Sequence, residues 1–483
     1  MVRAIPQEGC AEVPNNSKPH SKGKSEGSAE ENLPGTVHIV GAGLAGSEAA
    51  HFLAERGIKV VIHEMRPVEK TEAHHSSDFA ELVCSNSLKN LNPLTAPGIL
   101  KTEMTEAGSL ILKTAREFAV PSGEALAVDR TLFAASITKT LTNHKDITVV
   151  KEKVSKPFEG AITLFSTGPL TAPSLTEWIS TALSAKGLRS DDCYFYDAIA
   201  PIIDATSIDR EIVFSANRYD KGDDEAYLNC PFTRDQYYAF MDALASAEKV
   251  TPKNFEKEKF FQGCQPIEAI AASGRESLRF GPMKPVGLVD TKNPDPKSRA
   301  YAVVQLRPEN RSKTAYNLVG FQTKLKYPEQ LRVFRTIPGL EKAEFLRLGS
   351  IHRNTFINAP RVLRADLSLK HYPSVYFAGQ VTGVEGYLES SASGLLAAFF
   401  ILQRLRQLPH SAPPANTALG ALLRHVTGSD PEHYQPNNIH FGLFEPQYFS
   451  LAVGAKKDVV KDAYAKQCKE AFSEWYKHSR LQP

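Results

Sequence analysis

The chain has 483 residues, 42% of them hydrophobic and 23% charged, an ordinary globular composition with room for two or three domains. The formal net charge of +3 permits an RNA ligand without demanding one. The apolar run Leu395 to Leu402 is far too short to span a bilayer, so no membrane partner is expected.

Residues 1–35 are rich in Ser, Glu, Lys, Pro and Asn and almost free of large apolar groups, the composition of a disordered tail. They lack the apolar core of a secretory signal, and Glu8, Glu12, Glu26, Glu30 and Glu31 argue against an organelle transit peptide, which makes the cytoplasm the expected compartment. Next comes TVHIVGAGLAGSEAAHFLAERGIKVVIHEMRP, from Thr36 to Pro67. Val37 to Val40 suit a buried parallel strand, and Gly41, Gly43 and Gly46 follow in G-x-G-x-x-G spacing. A helix is expected over Ser47 to Arg56, and a second strand over Ile58 to Ile62 runs to Glu64. This order predicts a dinucleotide site on Gly41, Ala42, Gly43, Leu44, Ala45 and Gly46. The glycines give a tight turn, close approach of backbone to pyrophosphate, and close helix–strand packing, while Glu64 stands where a carboxylate meets a ribose diol.

The polar stretch from Met65 to Pro93 has no clear period and reads as a functional loop. One amphipathic helix is expected over 99–118, then a strand end and helix in ALAVDRTLFAASITKTLTNH, and strands over Asp146 to Val150 and Ile162 to Phe165. Alternating strands and helices predict an α/β fold with a parallel sheet. From 181 the aromatics, short alternating runs and polar insertions indicate an inserted α+β domain. The nucleotide fold resumes later: strand Ser374 to Ala378, a turn at Gly379 and Gln380, and an apolar helix over 391–407 opened by Ser391 and Gly394, whose start can present backbone N–H groups to a cofactor. The expected division is tail 1–35, dinucleotide domain 36–180 and 330–475, and insertion 181–329. Lysines at 456, 457, 461, 466 and 469 alternate with acids, the solvated face of a terminal helix.

None of Cys10, Cys84, Cys193, Cys230, Cys264 and Cys468 stands in C-x-x-C spacing, which argues against zinc ribbons and dithiol redox pairs. His74-His75 has no Cys, Asp or Glu at ligand spacing, so these histidines read as pocket lining and no metal is expected.

The words HEMRP, AELVCSNSLK, VPSGEALAVDR, FQGCQPIE, FGPMKPVGL, VGFQTKL, FAGQVTGVEGYLESSASG and NIHFGLF, in order from about residue 36 to about 450, closely resemble the folate- and FAD-dependent tRNA uracil-5-methyltransferases, the TrmFO family. The resemblance implies an FAD-binding Rossmann-like domain of the glutathione-reductase type. It places Gly41–Gly46 and Glu64 at the ADP half, and Gly379-Gln380 and the Ser391 to Gly394 helix start near the flavin. It implies NADPH or NADH as reductant, 5,10-methylenetetrahydrofolate as one-carbon donor, and 5-methyluridine in the T-loop of tRNA as product.

Carbon 5 of uracil is too weak a nucleophile to attack a one-carbon electrophile unaided. Addition of a thiolate at carbon 6 makes an enolate, and a base must later remove the carbon-5 proton. By resemblance Cys264 matches the uracil nucleophile and Cys84 its partner thiol. RNA contacts are expected among Arg275, Arg279, Lys284, Arg307 and Lys324, interspersed with Phe280, Tyr301 and Phe321. Gln265, Lys324 and Ser166 depart from the family's usual Met, His and Ala without removing a group the chemistry needs. The rival readings are the same chemistry on ribosomal RNA, a non-catalytic RNA-binding flavoprotein, and a plain flavin oxidoreductase.

Overall fold

The β-branched run that precedes the glycines forms β1 (Thr36–Val40), the glycine turn leads into α1 (Leu44–Ala54), and β2 (Lys59–His63) returns parallel to β1, with Val37 beside Val60 and Ile39 beside Ile62. The structure is a computed structural model. It describes residues 35–482 apart from 70, 72, 185–193, 221–226, 251–264, 291, 293–298, 311 and 451–455.

β1 and β2 lie inside a six-stranded sheet whose order is Ser368–Leu369, Tyr372–Phe377, Ile162–Phe165, β1, β2, Ile147–Val150. Every neighbouring pair is parallel except the first, which is antiparallel. Val37, Ile39, Ile62, Ile162 and Leu164 are fully buried, as a parallel sheet covered on both faces requires. The sheet thus draws its strands from residues 36–165 and from 368–377. A second six-stranded sheet, built from residues 202–347, is antiparallel throughout and covers a separate core that includes Phe232, Tyr237, Phe240, Phe321 and Phe334.

The single helix expected over 99–118 is two helices, Ala96–Glu106 and Leu110–Glu117. Gly108 at φ +85° ends the first, and the Ser109 hydroxyl accepts from Leu112 N to cap the second. The expected 391–407 helix starts earlier, as Tyr387–Leu405. Among the described residues no helix is long and apolar enough to cross a membrane.

Two buried carboxyls tie these helices down. Glu48 accepts from Ser109 Oγ at 2.9 Å and Ile111 N at 3.0 Å. Glu103 accepts from Ala418 N at 2.7 Å and Leu419 N at 2.8 Å, at the start of the Ala418–Gly428 helix. Burial pushes Glu48 up to about 7 and Glu103 up to about 8, although the hydrogen bonds pull the other way. A carboxyl whose pKa rises on folding favours the folded state at low pH. That contribution is complete below the unfolded value of about 4.3 and is lost as pH rises through about 8 for Glu103. Glu103→Gln is therefore expected to flatten the fall in melting temperature between about pH 5 and about pH 8 relative to wild type. An unchanged slope in calorimetric scans would count against this assignment.

Candidate dinucleotide site and the Cys84 loop

The glycine turn is shaped by what surrounds it. Gly41 has φ +98°, and a Cβ there would lie 2.7 Å from Ser166 O. A Cβ on Gly46 would lie 2.0 Å from Gly41 O, so only glycine lets α1 begin directly on the turn. Gly43 differs: the nearest protein atom to its Cβ would be Ser166 O at 4.0 Å. The backbone at Gly43 thus borders open space, and no side chain caps the α1 N-terminus that follows. A phosphate there meets unpaired N–H groups at the positive end of a helix.

The start of the Tyr387–Leu405 helix reaches the same place. A Cβ on Gly394 would lie 2.2 Å from Ala45 O, so this helix crosses α1 in backbone contact. Ser393 Oγ accepts from Gly379 N at 2.6 Å and fixes the turn before the helix. Between the two helix starts lies a cleft with about 1050 Å³ of empty space, walled by Gly41, Gly43, Leu44, Ala45, Glu64, Gly379 and Gln380 among others. An elongated nucleotide cofactor fits this cradle, since the open, side-chain-free backbone at Gly43 faces the cleft. Ala42, Gly46, Ser391 and Gly394 stand behind the wall instead of in it: Gly46 and Gly394 permit close packing, and Ser391 Oγ donates to Tyr387 O at 2.8 Å.

Glu64 lines the cleft, but its oxygens are already engaged. Oε2 accepts from Ala42 N at 2.9 Å and Arg66 Nη2 at 3.1 Å; Oε1 accepts from Arg66 N at 3.0 Å and Arg66 Nε at 2.9 Å. Burial alone would raise its pKa, yet the hydrogen bonds and charge of Arg66 hold it below the usual carboxylate range. A ribose diol at Glu64 therefore shares this carboxylate with Arg66. Arg66 also reaches Glu81 at 3.3 Å, whose carboxylate accepts from His75 N and Ser76 N. His74 lines the cleft as a half-buried, neutral ring, with desolvation and then Arg66 lowering it to about 4. No group of His, Cys, Asp and Glu among the described residues is arranged to hold a metal.

Among the wall residues that sequence reasoning missed are His63, Thr167-Gly168 and Tyr387. His63 joins His38 at 2.9 Å and Glu152 at 2.7 Å. Tyr387 connects the cleft to the cysteine loop, since its hydroxyl accepts from Cys84 N at 2.6 Å and Ser85 N at 3.2 Å. Cys84 itself is half-buried, next to the wall residue Val83. Cys264 lies outside the described residues, so the structure does not relate the two thiols. Cys230 and Cys468 are fully buried, with their thiols pushed up by burial.

Of the residues expected to meet RNA, Phe280 is 74% exposed, and the Arg279 guanidinium lies over the Tyr301 ring at 4.2 Å. Arg275 pairs with Asp242 at 2.7 Å. Phe321 is fully buried in the second core and offers no face for a base. Arg307 is buried against Asn86.

The model of the glucose inhibited division protein A family matches residues 36–409. A methylenetetrahydrofolate–tRNA-(uracil-5-)-methyltransferase TrmFO of Pelobacter propionicus is 51% identical over 442 residues, covering 91% of this chain and 94% of that protein. The chain belongs to the TrmFO family. A TrmFO of the same description from Bacillus cytotoxicus is 49% identical over 437 residues, covering 90% of this chain and 98% of its own length. Among solved structures, Aquifex aeolicus GidA in its form II crystal aligns with a TM-score of 0.61 at 15% identity, over 92% of this chain and 75% of that one, a likeness of fold.

This geometry makes Gly43 the glycine whose substitution tests the site. Gly43→Val adds a side chain to open cleft and leaves the protein's own packing alone, so it is expected to fold and to lose at least about tenfold in bound flavin, read from the visible absorbance of purified protein. A fully loaded Gly43→Val protein would remove the turn from the cofactor site.

Proposed function

We propose that the chain transfers a one-carbon unit from 5,10-methylenetetrahydrofolate to carbon 5 of a uridine in the T-loop of tRNA, with FAD as resident cofactor and NADPH or NADH as reductant. The observation that carries this reading is about half identity along nine-tenths of the chain to relatives named for that reaction. Those names specify tRNA, which favours tRNA over the ribosomal reading. A cytoplasmic setting belongs to the same proposal, because the chemistry needs reduced thiols.

The cleft supports the cofactor's place. The Gly41–Gly46 turn and the α1 N-terminus would hold the pyrophosphate, and the Gly379-Gln380 turn would border the flavin end. FAD, when bound, supplies the electrons and a carrier position for the one-carbon unit. The chain's own task is to prime and position the pyrimidine. In this proposal the Cys264 thiolate adds to uracil carbon 6, and the ring electrons move toward carbon 5. Cys84 serves as the second thiol, within a loop fastened to the cleft wall through Tyr387. Once the transferred unit has been reduced by two electrons to a methyl group, loss of the carbon-5 proton to a base expels the Cys264 thiolate and restores the carbon 5–carbon 6 double bond.

Incubation of the purified protein with reductant, undermodified tRNA and labelled methylenetetrahydrofolate is expected to label tRNA, and omission of folate to abolish the label. Cys264→Ala is expected to lower labelling by on the order of a thousandfold or more while the protein stays yellow. Unlabelled RNA with the wild-type protein would overturn the proposal. Near-wild-type labelling by Cys264→Ala would remove that thiol from it.

A further inference from the structure

Three guanidiniums and one carboxylate surround the Cys84 loop. Arg130, at the start of the Arg130–Thr142 helix, donates from Nη1 to Leu82 O at 2.7 Å and from Nη2 to Cys84 O at 3.5 Å, with Nε lying 2.5 Å from Glu309 Oε2. Arg347, from the Phe345–Arg347 strand, donates from Nη1 to Val83 O at 2.8 Å and from Nη2 to Cys84 O at 3.3 Å, while its Nε is buried without a hydrogen-bond partner among the described residues. Arg307, from the Ala302–Pro308 strand, is 8% exposed, and the hydrogen bond from Nε to Asn86 Oδ1 at 2.8 Å is its only one among the described residues. Tyr387 approaches from the long helix, and burial raises its hydroxyl well above the ordinary tyrosine value, so it stays neutral.

Glu309 balances one of the three cations. Arg307 and Arg347 have no carboxylate partner among the described residues, and burying an unpaired charge is strongly unfavourable. Burial, followed by repulsion from Arg130, lowers Arg347 to about 10, which still leaves it charged at neutral pH. The excess charge asks for an anion at the segment these arginines grip. The ionisable side chain at that segment is Cys84: its charge stabilises the guanidiniums of Arg130 and Arg347, and both of these also donate to its backbone carbonyl.

We propose that Arg130, Arg307 and Arg347 are positioning residues that hold Cys84 as a thiolate in the resting holoenzyme. The inference rests on the reading in which Cys84 takes part in the reaction. It gives that thiol a definite state before tRNA arrives: an ionised sulfur ready to accept a proton, on a loop whose backbone cannot shift without breaking four arginine–carbonyl contacts.

The test is the pH profile of iodoacetamide alkylation at Cys84 in the holoenzyme, followed by peptide mass mapping, with buried Cys230 and Cys468 as internal references. An ordinary thiol reacts with a midpoint near pH ~8.5. Cys84 is expected to reach half-maximal rate at or below about pH 7.5, and Arg307→Met and Arg347→Met each to move that midpoint up by about half a unit or more. The lysine variants at either position are expected to stay nearer wild type, and Arg210→Met, a surface change, to have no effect. A wild-type midpoint at or above ~8.5, or no reaction of Cys84 at lower pH, overturns the proposal whether or not the methionine variants fold. Folded methionine variants with the wild-type midpoint overturn it as well. A Cys84→Ser protein that still methylates tRNA would remove Cys84 from the reaction without altering the measured ionisation, so the two failures are distinct.

Discussion

Backbone contact between two helices governs this site. α1 and the Tyr387–Leu405 helix approach until the position of a Gly394 Cβ falls within 2.2 Å of Ala45 O, and the turn before α1 closes on Gly46 in the same way. A larger residue at 394 pushes one helix off the other, and at 46 it pushes α1 off the turn at Gly41 and off Ser166. With glycine at both, the two helix starts and the turns before them face one cleft, although more than three hundred residues of sequence separate them. The buried β-branched strands supply the rigid floor beneath. The cleft is thus a consequence of missing side chains more than of the polar groups that line it.

A second layer links that cleft to the Cys84 loop. Tyr387 belongs to the cleft wall and takes the amides of Cys84 and Ser85 on its hydroxyl. On the other side Asn86 donates to Val128 O at 3.0 Å and to Pro308 O at 2.9 Å, which ties the loop to the short strand Ala125–Val128 and to the antiparallel sheet together. The segment therefore has no secondary structure of its own at Cys84 yet is held at many points. Irregular backbone held this way presents a side chain in a fixed direction, as the role proposed for Cys84 requires.

Much of this was legible in the sequence, for physical reasons that can be named. The strand–glycine–helix–strand unit is local, so spacing alone gave β1, α1 and β2 within a few residues. The strand at Ile162–Phe165 and the helix capped by Asp129 were legible in the same way. The 99–118 helix was misread because its apolar period continues through a break set by Gly108 and Ser109. The closure of Glu64 by Arg66 was hidden because a salt bridge between near neighbours leaves no periodic trace. The arginine cluster was the least legible element. Arg347 meets Val83 across 264 residues of sequence and Arg307 meets Asn86 across 221, contacts that only the folded topology creates. Phe321 read as a stacking surface, but its place between the antiparallel strands and their helices buries it.

The central claim is that glycine-permitted helix contact creates a cleft for one flavin cofactor per chain. Its most direct measurement is titration of FAD into flavin-stripped protein, followed by quenching of flavin fluorescence. Saturation at about one FAD per chain is expected in the wild type, with at least about tenfold weaker binding in Gly394→Leu protein that keeps its native circular dichroism. Saturation of Gly394→Leu at the wild-type stoichiometry and affinity, or failure of the wild type to take up FAD, would contradict it.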